Sequence, residues 1–494
     1  MSRSVTKVRF DRFWRVLLVI VFGALVVRVG YVSIAKRGPC AVRLNGAVVG
    51  QYHSECTGLN GQASDQVFYN AESNTLAQGH AFTAPFPHPG EPGVAHPPTA
   101  EHPPLTVMVL APVSWLFERP VLRNVADKFE IAGQTHYTHV REQRYAMALL
   151  GTLLVLLIGL LGRAIGGERV GWVAAGIAAL YPNLWVSDGL IMSETITGLA
   201  VVAAMLCALR MVRRPSVGAA LATGVFAGLA ALGRAELVLF IPLLVVPVAF
   251  FARAGRGRAT TLALVGCIAA AAVIVPWVGY NLARFHERTF VSTNDGIALV
   301  GSNCDPVYKG SAIGLTVLRP PCLDSQGLKG DESVLAKVYR TRAIDYMKGH
   351  KRRVPVVVAA RVGRTWGVFR PMDMLWFNQG EGRERWVIAL GMWTYYPLLL
   401  LGVAGAIVWW RRSARQTWVL LVPAIASTIG VAATYGQTRF RAAAEPSIVV
   451  FAAVAIVVIV DQLRARTVDP APEYRPVGPV LAPYTGGRAS IGDK

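Results

Sequence analysis

The chain has 494 residues, 53% of them hydrophobic and only 16% charged, and a mean hydropathy of +0.42, which is too apolar for an ordinary soluble multidomain protein. A net charge of +21 would suit nucleic acid, but the basic residues are neither interleaved with aromatics nor gathered in one stretch, so no nucleic-acid partner is expected. They flank apolar runs instead, which makes membrane lipids the expected surroundings.

In chain order, the basic cluster Arg3/Lys7/Arg9/Arg12/Arg15 precedes an apolar run at 16–35. That run is too long for a signal peptide, and Tyr31-Val-Ser-Ile-Ala-Lys-Arg lacks a small-residue cleavage site, so it reads as an uncleaved first helix after a cytoplasmic segment, 1–15. Residues 36–143 then form a first external loop. Within it, the apolar stretch Pro104 to Phe117 is short for a span and suits a re-entrant or surface-lying helix. Further helices are expected at 145–163, 170–186, 189–210, 216–233, 236–252 and 259–279. A second external region follows at 280–383, then helices at 384–410, 417–434 and 446–462. Counted this way, the clusters Arg210/Arg213/Arg214, Arg253/Arg256/Arg258 and Arg411/Arg412/Arg415 all fall on the inner side, as the positive-inside rule asks. The expected architecture is an all-α polytopic membrane domain, 16–462, of about ten spans, with both termini inside. The tail, 463–494, is rich in proline and glycine and has no apolar periodicity, the signature of a disordered segment.

Six cysteines test this layout. Cys207 and Cys267 lie inside spans, as small apolar side chains do. Cys40 and Cys56 share the first external loop and Cys304 and Cys322 the second, as expected if each pair forms a disulfide in an oxidising compartment. Neither pair has the spacing of a zinc or redox motif.

Polar side chains that could build a site are concentrated in the external segments. Ser64 to Asn74 reads as a short amphipathic helix with Ser64 as its N-cap and with Asp65, Tyr69 and Glu72 on one face. Asp65 could accept a proton from an incoming hydroxyl, hold a divalent cation with a second carboxylate, or simply cap its helix. Glu101-His102-Pro103-Pro104 punctuates the start of the ambiguous helix, and Arg144 opens the next span. Glu194 lies about two turns into an otherwise apolar helix, a costly place for an acid and so a functional candidate or one half of an internal ion pair. Arg234 and Glu236 make a turn as a structural pair or a phosphate contact. Arg439 and Arg441 break the positive-inside pattern, and their guanidinium forks match either a lipid phosphate or ordinary headgroups.

The Asp65 to Tyr69 stretch, the Pro-Pro-Leu entry at 103–105, Arg144, Met192-Ser-Glu, Leu232-Gly-Arg-Ala-Glu, Pro276-Trp-Val-Gly-Tyr-Asn with Ser292-Thr-Asn-Asp-Gly, and Tyr435-Gly-Gln-Thr-Arg-Phe-Arg with Glu445-Pro occur in an order that resembles the GT-C superfamily. Within it the likeness is to the branch of protein O-mannosyltransferases and lipid A aminoarabinose transferases, over residues 10–462. The resemblance implies a GT-C fold, a polyprenyl-phosphate sugar donor, and an active site on the outer face of the plasma membrane, under the first loop. It implies that Asp65 matches the catalytic acid and Glu194 a second acidic position, and that Arg439 and Arg441 fall where the donor phosphate is contacted. No organic cofactor is implied; a cation between Asp65 and Glu194, magnesium or manganese, is the open alternative. No large soluble C-terminal module is expected, which leaves the acceptor open among a glycan, a lipid and a protein. Two rival functions are a transporter or flippase of lipid-linked sugars and a non-catalytic partner in envelope assembly. A transporter calls for internal repeats and midplane polar tracks, which this sequence does not display.

Overall fold

The computed structural model describes residues 11–36, 40–44, 47–52, 65–84, 88–91, 93–94, 97–117, 128–131, 134–137, 139–252 and 255–467, with only the backbone described in 40–44, 47–52, 128–131, 134–137 and 466–467. The expected cap Ser64, the Cys40–Cys56 bridge and the tail beyond 467 lie outside the described residues.

The long apolar segments form helices. Helix α1 (Arg12–Ala35) leads to a hairpin, β1 (Cys40–Leu44) with β2 (Ala47–Tyr52), then α2 (Asp65–Ala77), α3 (Leu105–Phe117) and a second hairpin, β3 (Lys128–Ile131) with β4 (Gln134–Tyr137). Next come α4 (Val140–Gly166), α5 (Glu168–Leu180), α6 (Pro182–Asp188), α7 (Ser193–Arg213), α8 (Val217–Gly233), α9 (Val246–Phe251) and α10 (Arg256–Arg284). Five shorter helices follow: α11 (Asn294–Ser302), α12 (Asp305–Tyr308), α13 (Glu332–Gly349), α14 (Val354–Thr365) and α15 (Asp373–Gln379). The chain closes with α16 (Arg385–Arg412), α17 (Ala414–Ala433) and α18 (Glu445–Thr467). Both hairpins are antiparallel, and they are the part of the first loop that periodicity did not reveal.

Among the described residues, seven helices are long and apolar enough to cross a membrane, or eight when the pair α5–α6, bent by 57°, counts as one. Helix α8 and the segment 235–251 are shorter. That segment starts as a 3-10 turn (Ala235–Leu239) and widens to a π turn (Ile241–Val245) before α9, because Pro242 and Pro247 each remove a backbone donor. Residues 189–192 break the helix expected over 189–210, so α7 begins at Ser193. Glu194 therefore sits in the first turn of α7, not two turns deep. There the free N–H groups of the helix start favour a carboxylate.

Small residues set the spacing of the bundle, as lipid-embedded helices require. Gly224 of α8 lies against the Gly266 carbonyl of α10, where a Cβ would collide. Gly151 of α4 makes room for the Asp188 carboxylate, which pairs with Arg28 of α1 at 2.6 Å, both side chains buried. Contacts divide the chain into two units, Met1–Val457 and Val458–Lys494. In the first, one end carries the arginine-rich turns, tied together by Arg258 donating to the Pro215 carbonyl at 3.4 Å and Arg415 to the Phe251 carbonyl at 2.9 Å. At the other end, Lys36 just past α1 meets Glu384 just before α16 at 2.5 Å. The described parts of the segment between α1 and α4 gather there with the segment between α10 and α16, in which Cys304 is disulfide-bonded to Cys322, Cα atoms 5.5 Å apart.

Candidate active site

Helix α2 is polar in composition yet largely buried. Four-residue and three-residue steps put Asp65, Tyr69 and Glu72 on one face, and that face meets His102, which the Pro103-Pro104 pair fixes just before α3. His102 Nε2 is 3.9 Å from Asp65 Oδ1 and its Nδ1 3.7 Å from Glu72 Oε1. Its ring lies 4.6 Å from that of Tyr69, centroid to centroid. Burial pushes the imidazole toward its neutral form, but Tyr69, Asp65, Glu72 and Glu101 outweigh it and hold His102 well above the usual histidine range. The imidazole sits between two acids.

Asp65 is the open member of the group, about a third exposed, and its Oδ2 is bonded to Arg439 Nη1 at 2.7 Å. Burial raises the Asp65 carboxyl, but the Arg439 guanidinium and His102 overcome it and hold the acid well below the usual carboxylate range. Arg439 stands in the short turn Thr438–Arg441 between α17 and α18. Its Nε reaches Glu381 Oε1 at 3.1 Å and Gln437 Oε1 at 3.0 Å. Glu381 also accepts from Gln437 Nε2 at 2.6 Å. Arg439 is therefore clamped between one acid facing solvent and one facing the interior.

Behind this layer lies Glu194, 2% exposed in its side chain, with Arg234 Nη1 at 4.0 Å and Arg383 Nη2 at 3.9 Å. Arg234 itself is bonded to Glu236 at 2.7 Å. Arg441 turns away: its Nε meets Glu445 at 2.7 Å, its Nη1 donates to the Thr365 carbonyl at 3.1 Å, and its Cζ lies over the Tyr395 ring, 3.5 Å from the centroid. Arg144 is buried beneath α2, with Nη2 3.5 Å from Gln66 Oε1. Glu101 is raised to about 7 by burial, with His102 opposing and Glu72 and Asp65 adding to the shift.

Arg439 lines two cavities. The wider, about 310 Å³, is lined by Asp65, Tyr69, His102, Arg234 and Glu236 on one side and by Ser292, Asn294 and Asp295 on another. The narrower, about 40 Å³, runs between α6, α15 and the start of α16, with Met374, Val387 and Ile388 in its walls and Arg383, Arg439 and Arg441 lining it. The structure thus brings Asp65, Tyr69, His102, Arg234 and Arg439 to one opening. Glu72 and Glu194 stand behind it, Arg441 faces the second cavity, and Arg144 lines neither. Among the described residues no group of three or more His, Cys, Asp or Glu side chains has metal-ligating geometry. Asp65 and Glu194 face guanidinium groups instead, so the donor set as it stands suits internal ion pairing better than a divalent cation.

Sequence reasoning passed over Glu381, Arg383 and Glu332. The run Glu381-Gly-Arg-Glu-Arg directly before the apolar start of α16 was the available signal, since charges crowded against a span need partners. Glu332, at the start of α13, accepts from the Thr99 hydroxyl at 2.9 Å and the Ala100 amide at 2.8 Å, fastening the second loop to the first.

The chain has the GT-C fold, the fold of the archaeal oligosaccharyltransferases it superposes on. Residues 98–291, the stretch holding His102, Arg144, Glu194 and Arg234, match the family described as dolichyl-phosphate-mannose-protein mannosyltransferase. The apo oligosaccharyltransferase of Archaeoglobus fulgidus superposes with a TM-score of 0.52 at 15% identity, over 93% of this chain and 52% of that one. The archaeal oligosaccharyltransferase AglB from the same organism, in complex with an inhibitory peptide and a dolichol-phosphate, gives 0.53 at 15% identity, over 92% and 51%. ArnT from Cupriavidus metallidurans bound to undecaprenyl phosphate gives 0.34 at 14% identity, over 90% and 77%. The chain spans about half the length of the archaeal enzymes it resembles. No curated protein matches it in sequence.

Proposed function

We propose that the protein transfers a hexosyl or pentosyl group from a polyprenyl-phosphate carrier to an acceptor hydroxyl at the extracytoplasmic face of the plasma membrane, by one inverting displacement. The observation that carries this reading is the Asp65–Arg439 pair, 2.7 Å apart, at the mouth of a cavity on the bundle end opposite the basic clusters. An acid and a guanidinium in contact there supply both charges the reaction needs. The family match over 98–291 and the dolichol-phosphate bound by a protein of the same fold support a lipid-phosphate donor.

In the proposed step the acceptor oxygen attacks the anomeric carbon. The bond from that carbon to the phosphate oxygen breaks, and its electron pair leaves with the phosphate. The hydroxyl proton passes to Asp65. The phosphate goes from a diester monoanion to a monoester dianion, so guanidinium contact is worth more in the transition state than before it. Arg439 links the two halves. While it holds Asp65 the carboxylate is a weak base, and a donor phosphate competing for the same guanidinium raises its basicity as the substrate arrives.

The test is consumption of lipid-linked mannose, arabinofuranose and galactose donors by purified protein, with Asp65→Asn beside the parent. The expected result is turnover of one donor by the parent and a loss of at least about a hundredfold in the variant. Full turnover by Asp65→Asn removes the assignment of Asp65. Binding of every donor without turnover by the parent supports a transporter or assembly partner.

A further inference from the structure

Helix α14 runs down alongside α17, away from the Asp65 layer. Arg361 Nη1 donates to the Ala432 carbonyl at 3.2 Å, and further along α14's course Trp366 Nε1 donates to Thr428 Oγ1 at 3.1 Å, one turn deeper in α17. At the foot of α14 the chain reverses through Gly367 and Arg370, both at positive φ. Helix α15 then packs against α16 and returns to the level of the Arg439 turn, where Asn378 Nδ2 donates to Thr438 Oγ1 at 2.8 Å. The pair α14–α15 is thus a helical hairpin with its tip pointing toward the basic end of the bundle. That tip is held by α16: the Trp366 and Gly367 carbonyls accept from the hydroxyls of Tyr395 and Tyr396, at 3.1 and 2.9 Å.

The depth of the tip follows from α16. Residues 386–410 carry no charge and make about 37 Å of helix at ~1.5 Å per residue, so a hydrocarbon core of ~30 Å lies within them. Tyr395 and Tyr396 stand about 14 Å along that stretch from its outer end. Even with the whole surplus length on the outer side, they are about 7 Å inside the core. Backbone at that depth must have its polar groups satisfied by protein, and here it does. The N–H groups of Trp366, Gly367, Val368 and Phe369 are bonded to the carbonyls of Val362, Arg364 and Gly363, and the two tyrosines serve the carbonyls. One face of the hairpin lines the narrow cavity through Gly367, Met374 and Asn378. The other exposes Val368, 72% accessible, with Met372 and Trp376, and α16 beside it exposes Leu390, Trp393 and Leu400. The Arg385 guanidinium lies 5.3 Å from the Trp376 ring centroid, a pairing of cation and indole that suits the headgroup level.

We propose that the α14–α15 hairpin is a wedge seated in the leaflet at the Asp65 end of the bundle, and that its exposed face binds bilayer phospholipid. Acyl chains surround Val368 at the tip, and Met372 and Trp376 lie nearer the headgroups, with Arg385 facing their phosphates. The region 280–383, expected to be external throughout, then contains a stretch that enters the membrane and leaves on the same side. The inference stands on packing and depth and does not depend on the proposed reaction.

The experiment places a nitrobenzoxadiazole fluorophore on one added cysteine in the full chain, with Cys207 and Cys267 replaced by alanine, in nanodiscs of phosphatidylcholine and phosphatidylglycerol. Emission from the same background without the added cysteine is subtracted. Nitroxide groups on the lipid acyl chains quench from the bilayer, and iodide quenches from water. Val368→Cys is compared with Leu400→Cys, exposed midway along α16, and with Lys329→Cys, exposed in the segment between α12 and α13. The expected result is that Val368→Cys follows Leu400→Cys, losing about half its emission or more to the nitroxide lipid and little to iodide, while Lys329→Cys does the reverse. Iodide quenching of Val368→Cys equal to that of Lys329→Cys overturns the proposal. Quenching by neither agent also overturns it, since the face is then covered by protein. If Val368→Cys does not assemble, Met372→Cys decides by the same criterion.

Discussion

At the scale of single residues, the site is governed by which acid each arginine holds. Arg439 and His102 hold the Asp65 carboxyl well below the usual carboxylate range. Removing the guanidinium removes the strongest influence that lowers the acid, leaving His102 alone to oppose burial. Arg439→Gln is therefore expected to bring an acid limb into the pH profile of kcat/KM, with activity falling as pH falls through the mildly acidic range, whereas the parent profile stays flat there. An unchanged profile would mean that Asp65 takes no proton in the rate-determining step. Because Asp65 and Glu194 face guanidinium rather than metal-ligating partners, donor turnover is also expected to survive extensive treatment with EDTA. Loss of activity that magnesium or manganese restores would contradict that. Among residues, Asp65, Tyr69 and Glu72 were legible because a helix repeats every three to four positions. Glu381 and Arg383 were not, since nothing local to 379–385 reveals that the chain folds them onto a residue near position 194.

At the scale of elements, the two loop regions act as one body because α13 is clasped to the segment before α3. Glu332 makes that clasp with Thr99 and Ala100. Burial and the neighbouring Glu101 raise its carboxyl to about 8, against the hydrogen bonds from Ala100 and Thr99, which lower it. The folded state thus favours the neutral acid. Its contribution to stability is complete below the unfolded value near 4.5 and is lost as pH rises through about 8. Thermal unfolding in detergent should show a melting temperature that declines between pH 5 and pH 8, and Glu332→Gln should flatten the decline. A parallel decline in the variant would assign it to other groups. Element positions were readable from apolar run length, as with α4, α10, α16 and α17, whereas interruptions were harder. The sequence reading joined 170–186 into one helix, but Tyr181-Pro182 starts a new helix bent by 57° from the last, because proline cannot donate into the preceding ladder. The same reading placed Glu194 too deep by running α7 through Gly189.

At the scale of the whole molecule, sidedness is the property on which the proposed reaction depends. The arginine-rich turns lie at one end and the Asp65 layer at the other, so a cytoplasmic basic end puts the Asp65 layer outside. Cysteines introduced at the exposed Lys329 and Arg258 test this with a membrane-impermeant maleimide on intact cells. Lys329→Cys should label and Arg258→Cys should label only after permeabilisation. The reverse pattern would put the Asp65 layer in the cytosol and rule out an outer-face reaction. The overall fold class was legible because charge lies between apolar runs. What the sequence could not display was the association of distant segments, since the site draws on α2, α7, the end of α8, the start of α16 and the turn after α17.

The Arg28–Asp188 pair, buried between α1 and α6 with Gly151 giving it room, bears on how the chain enters the bilayer. Until Asp188 is synthesised, 160 positions later, α1 carries an arginine with no acid to meet it, a burden of about 2.5–3.5 kcal/mol on insertion scales. The nascent first helix therefore has reason to linger beside the translocon, or to tilt its guanidinium toward the headgroups, until the bent helix arrives and the two partition into lipid together.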